Sequence, residues 1–268
     1  FWFCIGHSQI PKAFSSLGRY MRSKGASHKS QASSEGASEE DFSFAWNRLL
    51  DEIADDAQRT ESYTGRASLK VSVMQALADV PREAFVPDGS RHKAYDNRPL
   101  PIGQRQTISQ PYIVTLVTDL LDLKPNGRVL EIGTGCGYQT AVLAALMSEI
   151  FSVEYLEDLH RSAKVCLTDL GCQNFRFRQG DGWQGWPKHA PYDAIIVTAA
   201  AAARIQDRLK EQFAPGGRLL VPVGRKHETQ FFTRIVRSPD GTFDEERGLP
   251  VAFVPLVEDH QDNPGFSC

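Results

Sequence analysis

An α/β fold is what this 268-residue chain predicts: a doubly wound, mostly parallel sheet with antiparallel C-terminal edge strands and an N-terminal helical appendage. Three observations carry that expectation. From about residue 110 onward, short aliphatic or β-branched runs alternate with helix-length amphipathic stretches, the pattern of parallel strands joined by right-handed helical crossovers. One strand-to-helix junction, Arg128 to Thr140 (RVLEIGTGCGYQT), carries glycines at alternate positions, Gly133, Gly135 and Gly137. Near the C-terminus the rhythm changes, and strand-like runs flank the turn Pro239-Asp240-Gly241.

In chain order, residues 22 to 40 are rich in Ser, Gly, Ala, Lys and Glu and nearly devoid of apolar side chains. Such a stretch cannot bury enough surface to offset its ordering entropy, so 1–40 is expected to be a disordered extension. Phe44, Leu49, Leu50 and Ile53 give a first helix its apolar face, with Asp41 or Ser43 as caps. A second helix over Ser68 to Ala78 would bury Leu69, Val73, Met74 and Leu77, and Val80-Pro81 ends it. Phe85-Val86-Pro87 opens an irregular stretch lasting to Ser109, a length that a compact domain tolerates chiefly where it binds something. Pro111 then sits at a first helical position, and the helix runs through Leu121.

The alternating region follows. Strands are expected at Arg128–Ile132, Ile150–Tyr155, Phe175–Gln179, Asp193–Thr198 and Arg218–Val223. Helices are expected at Thr140–Met147, Leu156–Leu170 and near Arg204–Phe213, with Pro215-Gly216-Gly217 as a tight turn. Gln230–Arg237 and Val251–Val257 would close the sheet as antiparallel edges, and no internal repeat is present.

Composition bounds the function. An apolar fraction of 41% supports a real core. The net charge of −3 is well mixed, with no basic stripe to meet a phosphate backbone, which weighs against nucleic acid. The five cysteines form no C-x-x-C pair and no metal-ligand spacing with the histidines, so no metal is expected and a reducing compartment is. No apolar run reaches membrane-spanning length, and Phe1 to Ile5 is too short for a signal-peptide core. The chain opens on Phe1 rather than methionine, so sequence upstream of it is expected to be missing or removed.

The glycine turn selects a ligand class. A dinucleotide-binding turn requires a third glycine at position 138, where this chain has Tyr138. The pattern present, G-x-G-x-G preceded by Glu131, resembles motif I of the S-adenosylmethionine-dependent methyltransferases. Ligands in open α/β sheets sit outside the carboxyl ends of the strands, near the switch in strand order. Glu131, Glu154 and Asp181 all fall there. Glu154, ending the second strand of the alternation, is placed to accept both ribose hydroxyls. Asp181-Gly182 resembles the pair that meets the adenine. Glu131 would touch the cofactor directly or through water, and Thr134 belongs to the same turn. Each has a structural alternative: a solvated strand-end charge for Glu154, a common turn pair for Asp181-Gly182, and a carboxylate tying the turn to a neighbouring loop for Glu131.

Three longer segments narrow the resemblance: Ala94 to Val114 (AYDNRPLPIGQRQTISQPYIV), Gly180 to Ala200 (GDGWQGWPKHAPYDAIIVTAA) and Pro215 to Gly224 (PGGRLLVPVG). Together with the glycine turn they resemble the protein-L-isoaspartate O-methyltransferases over about Val80 to Val257. That resemblance implies a cytoplasmic, monomeric repair enzyme of the Rossmann-like methyltransferase fold. It would move a methyl group from S-adenosyl-L-methionine to the free α-carboxylate of L-isoaspartyl residues in damaged proteins and peptides. Residues 41–109 would then hold the N-terminal helices and active-site loop, 110–260 the cofactor-binding core, and 261–268 a tail. By the same resemblance Gln106, Thr107 and Ile108 fold over the cofactor with Gly133, Gly135 and Gly137 beneath it. Ser109 corresponds to the family's active-site serine, although its position also suits a cap for the helix at Pro111. Thr198, Val223 and Gly224 would line the peptide groove, and Gln230 is a further contact. Ala202 departs from the family's usual proline, and Cys136 from its usual serine or alanine.

Rival readings remain: another methyltransferase, a nicotinamide dehydrogenase, or a non-catalytic protein of this fold. Methylators of nucleic-acid amino groups usually follow the fourth strand with an Asp/Asn-Pro-Pro-aromatic turn, and Thr198-Ala199-Ala200-Ala201 offers no such acceptors.

Overall fold

The structure, a computed structural model, describes residues 39–257 apart from 125, 148, 203, 204, 206 and 226. The expected extension, save its last two residues, and the expected tail lie outside the described residues.

Helix α1 (Glu39–Arg59) begins ahead of Asp41 and Ser43, so neither caps it. It buries Leu49, Ile53 and Ala57, which recur every four residues on one face. Phe44, expected on that face, is 73% exposed. At 3.6 residues per turn it points roughly 180° away from Ile53. A single turn, α2 (Glu61–Thr64), leads to α3 (Val71–Asp79), which buries Val73, Ala76 and Leu77. Leu69 lies ahead of the helix and packs against the same core as Met74. Asp119, fully buried, accepts the Lys70 N–H and Arg66 Nε, each at 2.8 Å, and so fastens the start of α3 to the core.

The stretch expected to be irregular holds more structure than its sequence suggests. Two 3-10 turns (Arg82–Phe85 and Asp88–Lys93) precede a hairpin of β1 (Leu100–Gly103) and β2 (Gln106–Ile108). Its tip residues Gln104 and Arg105 both have positive φ, 50° and 58°. That turn geometry favours Asn-Gly, and its absence here hides the hairpin from the sequence. Helix α4 (Pro111–Leu120) starts on its proline as expected, capped by the Gln110 backbone rather than by Ser109.

The main sheet runs β5-β4-β3-β6-β7-β8-β9 among the described residues. The central strands are β3 (Arg128–Ile132), β4 (Glu149–Glu154), β5 (Phe175–Gln179) and β6 (Tyr192–Val197). These are parallel, as is the pairing of β6 with β7 (Phe213–Val223). Helices α5 (Tyr138–Ala144) and α6 (Glu157–Asp169) make the crossovers on either side of β4. Strands β8 (Gln230–Arg237) and β9 (Phe243–Val251) close the sheet antiparallel.

Three expected elements need correction. Of the helix expected near Arg204–Phe213, residues 204 and 206 lie outside the described residues, α7 spans Asp207–Lys210, and Phe213 already belongs to β7. Pro215-Gly216-Gly217 is an excursion within that strand: pairing jumps from Tyr192↔Phe213 to Ala194↔Arg218. The last strand is Phe243–Val251, not Val251–Val257. Its charges, glycine and proline are tolerated because it is a sheet edge. Residues 252–257 instead turn back over the ends of the strands, where Pro255 bridges Ala200.

Period-two alternation explains the core. Leu130, Ile132, Phe151, Val153, Ile195 and Val197 pack on one sheet face. Val129, Ile150, Ala194 and Ile196 pack on the other. Glu131 and Ser152 share that second face and are register partners, which brings a buried carboxylate against a hydroxyl.

Candidate active site

The strand order reverses where β3 has β4 on one side and β6 on the other. A crevice opens there, past the carboxyl ends of all three. Register carries on beyond the strands. The Gly133 N–H donates to Val153 O at 2.8 Å and the Thr198 N–H to Ile132 O at 2.9 Å, so Gly133, Glu154 and Thr198 stand nearly side by side. Gly133 and Gly135 line the crevice with φ of +91° and +58°, left-handed values that favour glycine. A Cβ on Gly133 would lie 2.5 Å from Thr198 Oγ1, so the close approach needs a glycine for a second reason. The Thr198 hydroxyl in turn donates to Gly133 O at 2.5 Å.

Glu154 is 5% exposed and faces this crevice. Its Oε2 accepts the Gly135 N–H at 2.8 Å and its Oε1 the Leu156 N–H at 2.9 Å. Burial holds its pKa above the ordinary carboxylate value, against the opposing pull of those backbone N–H groups. A carboxylate has about four acceptor sites, so capacity remains for a ligand hydroxyl. Ile132, Val153, Leu159 and Leu256 supply apolar walls. This donor and acceptor set suits a nucleoside: flat apolar surfaces for a base, a carboxylate for a sugar hydroxyl, and bare backbone beside it.

A second cavity of about 580 Å³ adjoins the first. Ser109 and Gln110 line it, with Asp56 of α1, Thr60 just after that helix, Tyr112 of α4, and residues 249–254. Thr107, Thr198 and Val254 border both spaces, so the two ligand volumes meet across that wall.

The remaining sequence-predicted residues divide cleanly. Gln106, Thr107 and Gly182 line the crevice, and Ser109 the second cavity. Ile108, expected to fold over the cofactor, is buried in the hydrophobic core, as strand alternation sends it away from its neighbour Thr107. Glu131 does not reach the crevice either. It is fully buried beneath the glycine turn, where Oε2 accepts the hydroxyls of Thr140 (2.5 Å) and Ser152 (2.7 Å) while Oε1 has no partner among the described residues. Desolvation pushes its pKa up to about 7. Thr134 joins the same network through Ser152 Oγ at 2.6 Å. Gly137 starts α5 and faces α6, where a Cβ would meet Leu167 Cδ1 at 3.0 Å. Asp181 is spent on its own turn, accepting the Trp183 N–H at 2.9 Å.

The three C-terminal residues expected at the substrate or cofactor line neither space. Val223 pairs across to Ala201. The Gly224 N–H donates to Ala201 O at 2.9 Å. Gln230 is a clamp: its Nε2 donates to Phe253 O at 3.1 Å, and the Phe253 N–H returns a bond to its Oε1 at 2.6 Å. That side-chain amide, 4% exposed, imitates a strand and holds 252–257 over the site. Val254 and Asp56 are what sequence reasoning missed. Neither sits in a motif, and only the tertiary fold brings them there. Among the described residues no group of side chains is arranged to hold a metal, and no helix is long and apolar enough to cross a membrane.

Comparison with known proteins gives the family and the fold. A model of the protein-L-isoaspartate(D-aspartate) O-methyltransferase family matches residues 61–261. A Syntrophobacter fumaroxidans protein named protein-L-isoaspartate O-methyltransferase 2 is 45% identical over 225 residues, 84% of this chain and 91% of its own length. A Vibrio cholerae protein-L-isoaspartate O-methyltransferase is 52% identical over 185 residues, 69% of this chain and 87% of its own. A Plasmodium falciparum structure solved in complex with S-adenosyl-L-homocysteine superposes with a TM-score of 0.67 at 22% identity, over 80% of this chain and 99% of that one. At that identity the likeness speaks for the fold.

Proposed function

The chain belongs to the protein-L-isoaspartate(D-aspartate) O-methyltransferase family, and we propose that it runs the family's reaction across the wall its two cavities share. It is an S-adenosyl-L-methionine-dependent enzyme that methylates the free α-carboxylate of L-isoaspartyl residues in damaged proteins and peptides. Its relatives do not favour another acceptor or a catalytically silent role.

The observation that carries the division of labour is the uncharged boundary of Thr107, Thr198 and Val254. S-adenosyl-L-methionine supplies a methyl group on a positively charged sulfur. An α-carboxyl ionises near pH 3.5 and is already nucleophilic at neutral pH, so the chain needs no general base at that boundary. What it must provide is alignment and exclusion of water. In this reading Glu154 accepts the ribose hydroxyls, Gly133 and Gly135 let the backbone approach, and Gln106, Thr107 and Gly182 complete the cofactor's enclosure. Ser109 donates its hydroxyl to the acceptor carboxylate and aims one oxygen toward the cofactor side, without forming a covalent bond. Glu131, Thr134 and Gly137 hold the turn in shape, while Val223, Gly224 and Gln230 hold the covering segment. Asp181 acts through the turn that presents Gly182. The working unit in this proposal is a single chain in the cytoplasm, and its partners are aged proteins rather than nucleic acid or a membrane.

Transfer of labelled methyl to an isoaspartyl peptide, with the normal aspartyl peptide and RNA as controls, tests this directly. Only the isoaspartyl peptide should be labelled. Equal labelling of both peptides, or of RNA alone, would overturn the assignment.

A further inference from the structure

The second cavity carries one charged side chain among the described residues that line it, Asp56, and the reaction proposed above gives that charge no task. Asp56 comes from α1, which precedes residue 61, where the family match begins. Its carboxylate is firmly placed. Oδ2 accepts Asn97 Nδ2 at 2.8 Å and lies 3.4 Å from Gln110 Nε2. Asn97 is itself fixed by the Tyr112 N–H, which donates to its Oδ1 at 3.0 Å. Thr60, the residue that follows α1, shares a hydroxyl–hydroxyl bond with Tyr112. On the outer side, Oδ1 accepts Arg59 Nη2 at 2.7 Å, but that arginine side chain is 69% exposed, against 20% for Asp56.

Resting on the reading above, we propose that Asp56 sets the charge preference of the substrate: it favours a cationic side chain, lysine or arginine, beside the isoaspartyl residue and disfavours an acidic one. The acceptor carboxylate must reach Ser109 and Thr198 in the same cavity, and Gln110, the residue after Ser109, donates its side-chain amide to Asp56. A substrate segment entering there already brings one negative charge. A second negative charge on a neighbouring residue meets a fixed, four-fifths buried carboxylate, whereas a positive one gains an ion pair. The pair with Arg59 blunts but does not abolish this field, because an exposed ion pair is largely solvated. The cavity wall is only partly in water, so the field acts over a short range and weakens with salt.

The test uses isoaspartyl peptides with Lys, Ala or Glu at the residue before or after the damaged site, and kcat/KM for the wild type, Asp56→Asn and Arg59→Gln. The wild type should prefer Lys over Glu by about fivefold at one of the two positions, carried mainly by KM and shrinking in high salt. Asp56→Asn, which keeps the shape and the acceptor oxygen, should bring that ratio close to one while the Ala peptide is still methylated. Arg59→Gln, a surface change that spares the core, should widen it. Equal treatment of Lys and Glu peptides by a wild type that methylates the Ala peptide would sink the charge preference alone. A Lys preference that survives Asp56→Asn would sink it too. A wild type that methylates none of the isoaspartyl peptides would instead defeat the assigned reaction, and this inference with it.

Discussion

The two cavities are built by different means. The cofactor crevice lies at the ends of three adjacent strands, and the ladder itself sets its residues: Ile132 pairs with both Val153 and Val197, so the next positions, Gly133, Glu154 and Thr198, line up by register. The acceptor cavity has no ladder. Asp56, Ser109 and Val254 arrive from a helix, a loop and a C-terminal segment far apart in sequence, and side-chain bonds such as the Gln230–Phe253 clamp hold them. In the proposed reading, a ligand that never changes is met by backbone geometry, where alteration is costly. On the same reading, a substrate that varies with every damaged protein is met by side chains that can be exchanged one at a time.

The difference predicts its own largest effect. Gly133→Ala places a Cβ 2.5 Å from Thr198 Oγ1 at a φ of +91°. The variant should lose about 2–3 kcal/mol of stability and about 100-fold in cofactor affinity, since a shift of about 1 Å at a positioned site has that scale. Calorimetric titration with S-adenosyl-L-homocysteine measures it; unchanged affinity would mean that the turn is not the cofactor's floor.

Next in size is a pair of side-chain deletions that should separate the two spaces. Ser109→Ala should lower kcat/KM for an isoaspartyl peptide by about 10- to 100-fold, the worth of a hydrogen bond to a charged group, while leaving cofactor affinity within about twofold. Glu154→Ala should do the reverse, weakening cofactor binding by about tenfold with a smaller effect on the peptide's KM. Loss of cofactor binding in Ser109→Ala would show that the two regions form one cooperative unit and break the comparison.

The sequence made the crevice readable and the acceptor cavity mostly not, for the same physical reason. Alternate glycines after a strand, an acid at the next strand's end and a turn after the third are local consequences of backbone demands, visible in a single chain. Thr198 was legible because it too ends a strand. The hairpin escaped because Gln104 and Arg105 hold a turn usually given to Asn-Gly. Val254 and Asp56 escaped because only tertiary packing makes them neighbours. For Glu131 the sequence leaves two readings, cofactor contact or structural carboxylate, and alternation along β3 favours the second by pointing it at Ser152, under the turn.

Glu131 gives a prediction that leaves both cavities intact. Its carboxyl is pushed up from 4.5 to about 7 by burial. The unfolded chain ionises near 4.5, whereas the folded chain keeps the proton until about pH 7. The folded state therefore binds more protons in that window, so its stability falls as pH rises through it and levels off above. Glu131→Gln removes the titration and keeps an oxygen for Thr140 and Ser152. Its stability relative to the wild type should thus improve by roughly 1–3 kcal/mol between pH 5 and pH 8. Denaturation midpoints at the two pH values decide it, and a constant difference would mean that Glu131 is ionised throughout.

The smallest effect belongs to the hairpin, which borders both spaces through Thr107. Arg105 is exposed and held at a φ of 58°, while the side chain of its neighbour Gln104 donates to Asp158 Oδ2 at 2.9 Å and ties the tip to α6. Left-handed backbone costs an ordinary residue about 1 kcal/mol, and glycine avoids that cost but gives up more entropy on folding. Arg105→Gly should therefore stabilise the protein by a net amount of roughly 0.5 kcal/mol, read from the denaturant midpoint at constant slope. Because the Gln104 tether remains, both cofactor affinity and peptide KM should stay within about twofold. A more stable variant with a lower kcat would show that the strained tip must loosen during turnover. The hairpin would then be a moving part between the fixed crevice and the adaptable cavity, with Thr107 as its share of the wall that Thr198 and Val254 complete.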